Sequence, residues 1–291
     1  MTGYLFLVLA TFCGTAKGYA GKKSSSALDS LPLKLYFGAF RTALCAVIGL
    51  VIWLAEGNYE FVGTEPLVIS VLSGISMSIF LLSWIAAVRG KAYVLIDVCC
   101  QMGMVIPCIF AAPVLGENIT VVQYIALAAL VIAIILLSDK GKKDSQRIKI
   151  KDVALLAAVW ISSGTNSLTV KLYASTGAPS NTFYNLVTFS VSAFAFAVAY
   201  MIFRGKQKCT LPKKHYTAYL PVMAVCLYLN IFLQTLAAKH LDSMVMFPLQ
   251  TVMGLLLSAL MAALMFKEKP TAKNIVGMAI SAASLVIMNL K

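Results

Sequence analysis

Three ionisable side chains sit where the surrounding sequence is apolar: Lys17 in YLFLVLATFCGTAKGYA, Arg41 in LYFGAFRTALCAVIGLVIWLA and Asp97 in AYVLIDVCCQMGMVIPCIF. A charge in hydrocarbon is costly, so each is retained either because it is paired or because it is used. An acid at that depth calls for a cation, and Lys17 and Arg41 are the available partners. The trio therefore reads in two ways. It is a static ion pair locking three helices together, or a gate or coupling group in which Asp97 exchanges its partner for a solute or a proton. Asp97, Gln101, Met104 and Cys108 also share one helical face through their i, i+4, i+7, i+11 spacing.

Uncharged polar groups recur deep in other apolar stretches. Gln101, Thr165, Asn166, Tyr228, Asn230 and Gln250 are expected near mid-membrane, where an unpaired amide or hydroxyl costs about 1 to several kcal/mol. Interhelical hydrogen bonding is the ordinary reason for any one of them. As a set they make a substrate-binding group, with Asp97, Lys17 and Arg41 as gate or coupling residues. Lys171, near a helix end, is expected to snorkel to the interface.

Other chemistries lack their residues. No GxxxxGK[ST] loop exists to hold a nucleotide. His215 and His240 fall at the edges of apolar stretches, far from any acid cluster with ligand spacing, so no metal is expected. No serine has a base within reach. The seven cysteines include no zinc-type CxxC pair and read as packing residues with free thiols. The chain is expected to be no enzyme and to need no cofactor.

The elements that must position these groups are membrane helices. A chain of 291 residues with a mean hydropathy of +0.87 and 12% charged residues carries more apolar surface than one soluble core buries. Ten apolar stretches are expected to span, at about 3–20, 35–55, 67–88, 92–113, 120–138, 153–174, 181–203, 216–238, 243–266 and 273–290. The first lacks the basic n-region and small-residue cleavage site of a signal peptide. The net charge of +13 is topological: nineteen of the 24 Lys and Arg lie in the links after odd-numbered spans, whereas Glu56, Glu60, Glu65, Glu117 and Asp242 collect in the alternate ones. By the positive-inside rule the basic links are cytoplasmic and both termini outside. Nucleic-acid binding is not expected.

The two halves repeat. At an offset of 151 residues Ala86-Ala87 aligns with Ala237-Ala238, Met102-Gly103 with Met253-Gly254, Ala111-Ala112 with Ala262-Ala263, Glu117 with Glu268 and Thr120 with Thr271. Five spans per copy is an odd number, so the second copy inserts upside down. The expected fold is all-α integral membrane: ten transmembrane helices as two inverted five-helix repeats, 1–138 and 152–291, joined by a basic cytoplasmic linker at 139–151. Glu117 and Glu268 are expected to cap or begin helices 5 and 10. Small residues at Gly254, Ser258 and Ala262, and at Gly277 and Ser281, have the spacing for close helix approach.

The Ala-Ala, then Glu, then Thr, present twice and followed by a Gly/Ala-rich final helix, resembles the EamA domain of the drug/metabolite transporter superfamily. The closing IVGMAISAASLVIMNL is similar to the last helix of the small multidrug resistance proteins of that superfamily. Those proteins carry a glutamate in helix 1, which ATFCGTAKG lacks, arguing against cation antiport by that route. The resemblance implies a multi-pass secondary transporter of the cell membrane that moves a small organic metabolite or drug-like solute by alternating access. The solute is expected to be neutral or zwitterionic, such as an amino acid or nucleoside-like compound. The expected partners are that solute and the lipid bilayer, with the protein a monomer or a homodimer. The alternative is a receptor-like or structural membrane protein that moves nothing.

Overall fold

A computed structural model describes residues 1–25, 28, 30–57, 62–89, 99–138, 150–204, 218–266 and 272–289. These residues form ten helices: α1 (Thr2–Ser25), α2 (Leu31–Glu56), α3 (Thr64–Arg89), α4 (Val105–Leu115), α5 (Val121–Ser138), α6 (Ile150–Ser175), α7 (Asn181–Phe203), α8 (Leu220–Ala238), α9 (Ser243–Phe266) and α10 (Ala272–Asn289). Over their described residues α2, α3, α6, α7 and α8 are long and apolar enough to cross a membrane. Shorter apolar stretches cover Cys99–Leu115, Val121–Ile134, Ser243–Leu257 and Val276–Ile287. Large apolar side chains such as Val51, Val68, Phe194 and Ile202 face outward, as lipid contact requires and water would oppose. The chain is a multi-span membrane protein.

Local chemistry sets the helix ends. Ser30 caps α2, its hydroxyl accepting from Leu33 N at 3.3 Å, with Pro32 in the first turn where no N–H is needed. The helix stops at Gly57, which takes φ 66°, a left-handed conformation open to glycine. Thr120 and Gln123 form a reciprocal capping box at α5: Gln123 N donates to Thr120 Oγ1 at 3.3 Å, and Thr120 N to Gln123 Oε1 at 3.0 Å.

The helices divide into two compact units, each drawing on both halves of the sequence. The first comprises residues 1–78 and 169–239; the second, 79–168 and 240–291. Within the first, α2 packs along α7 and α1 along α8. Gly38 of α2 meets the Phe196 ring, Gly49 meets the Leu186 backbone, and Glu56 binds Ser180 and Thr182. As the α2 number rises its α7 neighbour falls, so α2 and α7 are antiparallel. Within the second unit, α5 and α10 pack together. Ala126, Leu130 and Ala133 are buried on one helix and Ser281 and Ser284 on the other, the small residues allowing close approach.

The expected single helix over 92–113 is interrupted. Residues 99–102 are helical, Gly103 and Met104 form a turn, and α4 follows. Pro107 is the physical cause: it has no N–H to donate to the Gly103 carbonyl, which accepts instead from Ile106 N at 3.2 Å. Ser163 Oγ donates to the Cys100 carbonyl at 3.0 Å, and Trp160 Nε1 to that of Met102 at 3.1 Å, so α6 satisfies the broken segment's acceptors. Gly164 makes this possible, since a Cβ there would fall 2.6 Å from Gly103 O and against Ile106.

Candidate functional site

Apolar sequence carries α7 across, yet Asn181, Asn185, Thr188 and Ser192 recur at i, i+4, i+7, i+11 and place a polar stripe on one face. The stripe turns inward: Asn181 is 7% exposed and the other three are fully buried. Thr188 Oγ1 donates to Ser70 O at 3.2 Å, across to α3. Asn185 Nδ2 and Oδ1, Asn181 Oδ1 and Ser192 Oγ have no hydrogen-bond partner among the described residues. One whole amide, one amide oxygen and a hydroxyl without protein partners among the described residues mark a place where another molecule can supply the bonds.

Helix α2 forms the second wall. Arg41, Cys45, Gly49 and Glu56 lie along one face, separated by four, four and seven residues, and cover about 22 Å at the helical rise. Gly49 is where three helices converge: a Cβ there would meet Leu186 Cα of α7 at 3.3 Å and the Tyr228 ring of α8 at 3.3 Å. One step down, the Cys45 thiol donates to the Ala224 carbonyl at 3.3 Å, fixing α2 against α8. At the top, Glu56 accepts from Ser180 Oγ at 2.8 Å and from Thr182 Oγ1. Ser180 is itself the α7 cap, so the carboxylate sits at the positive end of that helix.

Tyr228 closes the column. Its ring lies between Phe189, with centroids 6.1 Å apart, and Phe232, at 6.0 Å and nearly parallel. The hydroxyl lies beside Thr182 and Asn185 yet completes a well-formed hydrogen bond with neither. Below it, half-buried Lys17 of α1 lies within electrostatic reach of Arg41, Cys45 and Cys226. Arg41 Nε is buried with no partner among the described residues.

Of the residues singled out from sequence, Lys17, Arg41 and Tyr228 lie at different heights along this column. Asn230 belongs to the same unit, but its amide is occupied: Nδ2 donates to Ala10 O at 2.6 Å, and Oδ1 accepts from Gln234 Nε2 at 3.3 Å. Gln101, Thr165, Asn166 and Gln250 belong to the other unit. There Thr165 Oγ1 donates to Ile161 O at 2.8 Å within its own helix. Asp97 and Glu268 lie outside the described residues. Glu117 does not cap its own helix 5. It accepts from Ser243 N at 2.8 Å and Ser243 Oγ at 2.9 Å, bracing the start of α9. Lys171 does not snorkel either; it is 9% exposed and donates to Ala238 O at the end of α8, 3.1 Å away.

Sequence reasoning missed the α7 stripe and the Glu56 brace. The stripe had a signal, the same four-position spacing recognised around Asp97. The brace had none, because its partners stand 124 and 126 residues from Glu56.

No protein-family model and no curated protein matches the chain. Among solved structures, one crystal structure is similar over 99% of this chain and 96% of its own, with a TM-score of 0.78 at 13% identity. At that identity the likeness extends to the fold alone, an arrangement of helices that another chain adopts with nearly unrelated residues.

Proposed function

We propose that the chain is a secondary carrier that moves a small organic solute across the membrane by alternating access, without covalent chemistry. One observation carries the reading: a column of buried polar groups on α2, α7 and α8, in which Asn185, Ser192, Tyr228 and Arg41 keep atoms unpaired at membrane depth. An unpaired buried polar atom is a standing cost of about 1–3 kcal/mol, and a static scaffold gains nothing from several of them. A carrier does gain, since each becomes satisfied when solute enters.

Two features support the mechanism. α2 and α7 occupy equivalent places in the two expected repeats, and they run antiparallel, as inversion demands. The Pro107 break is of the kind by which transporters expose backbone groups inside the membrane. The solute sits against Tyr228 and Asn185, and Lys17 and Arg41 form the gate or coupling end. Flux of labelled amino acids, nucleosides and organic acids into proteoliposomes tests the reading. Saturable uptake of one class, lost in Asn185→Leu and Tyr228→Phe, is expected; no protein-dependent flux of any class contradicts it.

A further inference from the structure

Two cations of the column lie within electrostatic reach of each other, with no carboxylate partner among the described residues: Lys17 also reaches two thiols, Cys45 and Cys226, while the only charged acid described on the same α2 face, Glu56, stands about 22 Å above Arg41 and is held by Ser180 and Thr182. Like charges at membrane depth repel each other and forfeit hydration together, a double penalty that a protein retains only where an anion relieves it. The guanidinium atom Nε of Arg41 is also buried and unpaired. A guanidinium within electrostatic reach of an ammonium is a donor set suited to a carboxylate or phosphate oxygen pair, the first giving planar bidentate contact and the second a point charge.

The geometry points to a solute that is a small organic anion: its carboxylate or phosphate meets Lys17 and Arg41, and a hydrogen-bonding group about two helical turns away meets Tyr228 and Asn185. This rests on the carrier reading and narrows it. A zwitterion still qualifies through its carboxylate, whereas an uncharged nucleoside does not. The separation follows from register, since Arg41 stands eight residues below Gly49, the residue that packs on Tyr228, or about 12 Å along the helix.

The test uses the full chain purified in neutral detergent, with thermal unfolding followed in acetate, succinate and inorganic phosphate. Chloride at equal ionic strength and dimethyl succinate serve as controls. Succinate or phosphate should raise the midpoint well beyond chloride, and the neutral ester should not. Lys17→Gln and Arg41→Gln should each weaken that response about tenfold. Both variants remove uncompensated charge, so their unliganded midpoints should equal or exceed that of the parent. Equal shifts with the ester, or none beyond chloride, overturn the inference. So does an Asp97→Asn variant that gains anion response, since that acid then supplies the counter-charge. Stabilisation by phosphatidylglycerol but by no soluble anion assigns the site to a lipid headgroup and likewise overturns it. Flux separates the two claims: neutral solutes moving without anions sinks the anion alone, while anion binding with no flux of any solute sinks the carrier and leaves the site.

Discussion

Asn185 and Asn230 are the same side chain in opposite states. Asn230 holds α8 to α1 through the Ala10 carbonyl, while Asn185 is fully buried with both amide atoms unpaired. Replacing each by leucine separates a brace from a binding group. Asn185→Leu removes an uncompensated desolvation and should raise stability by about 1–3 kcal/mol while cutting flux by more than about tenfold. Asn230→Leu leaves the Ala10 carbonyl without its side-chain donor and should lower stability by about 1 kcal/mol, with flux largely retained. Thermal unfolding and flux on the same preparations read both. Sequence reasoning placed Asn230 in the substrate-binding group and passed over Asn185; which amide is occupied depends on which helix lies opposite, and no local pattern encodes that.

Carboxylates tie the helices of one half to the starts of helices from the other. Glu56, at the end of α2, holds the cap of α7, and Glu117 holds Ser243 at the start of α9. Glu56→Gln should cost about 1 kcal/mol through the lost charge at the α7 N-terminus, seen as a lower unfolding midpoint. Contact between α6 and the broken segment rests on missing side chains instead. Gly164→Ala would drive its Cβ into Gly103 O and Ile106, and should cost about 1–3 kcal/mol, with the same assay as the check. The spans of these helices were legible because apolar runs of membrane length, repeated along one chain, are too much apolar surface for a soluble core to bury. The break before α4 was legible in principle from Pro107. The braces were not, since a glutamate at a helix end reads equally well as the cap of its own neighbour.

Each compact unit combines helices of both halves: α2 with α7 in one, α5 with α10 in the other. Such mixing is what the duplication with inversion expected from the sequence would produce, each helix pairing with its counterpart in the other half. The positive-inside rule predicts that the basic links face the cytoplasm, so a reporter fused after Lys291 should be active outside; cytoplasmic activity would reverse the orientation. The apolar runs made the number of helices legible, but the location of the polar column within one unit needed the α2–α7 register, which arises only when the halves meet. Alternating access requires that column to be reached in turn from the two sides of the membrane. In a cysteine-free background Asn185→Cys, challenged with a membrane-impermeant maleimide in right-side-out and inside-out vesicles, measures this directly. A carrier should be labelled from both sides, and more slowly from both when transported solute is present; labelling from one side only, or from neither, contradicts alternating access at this site.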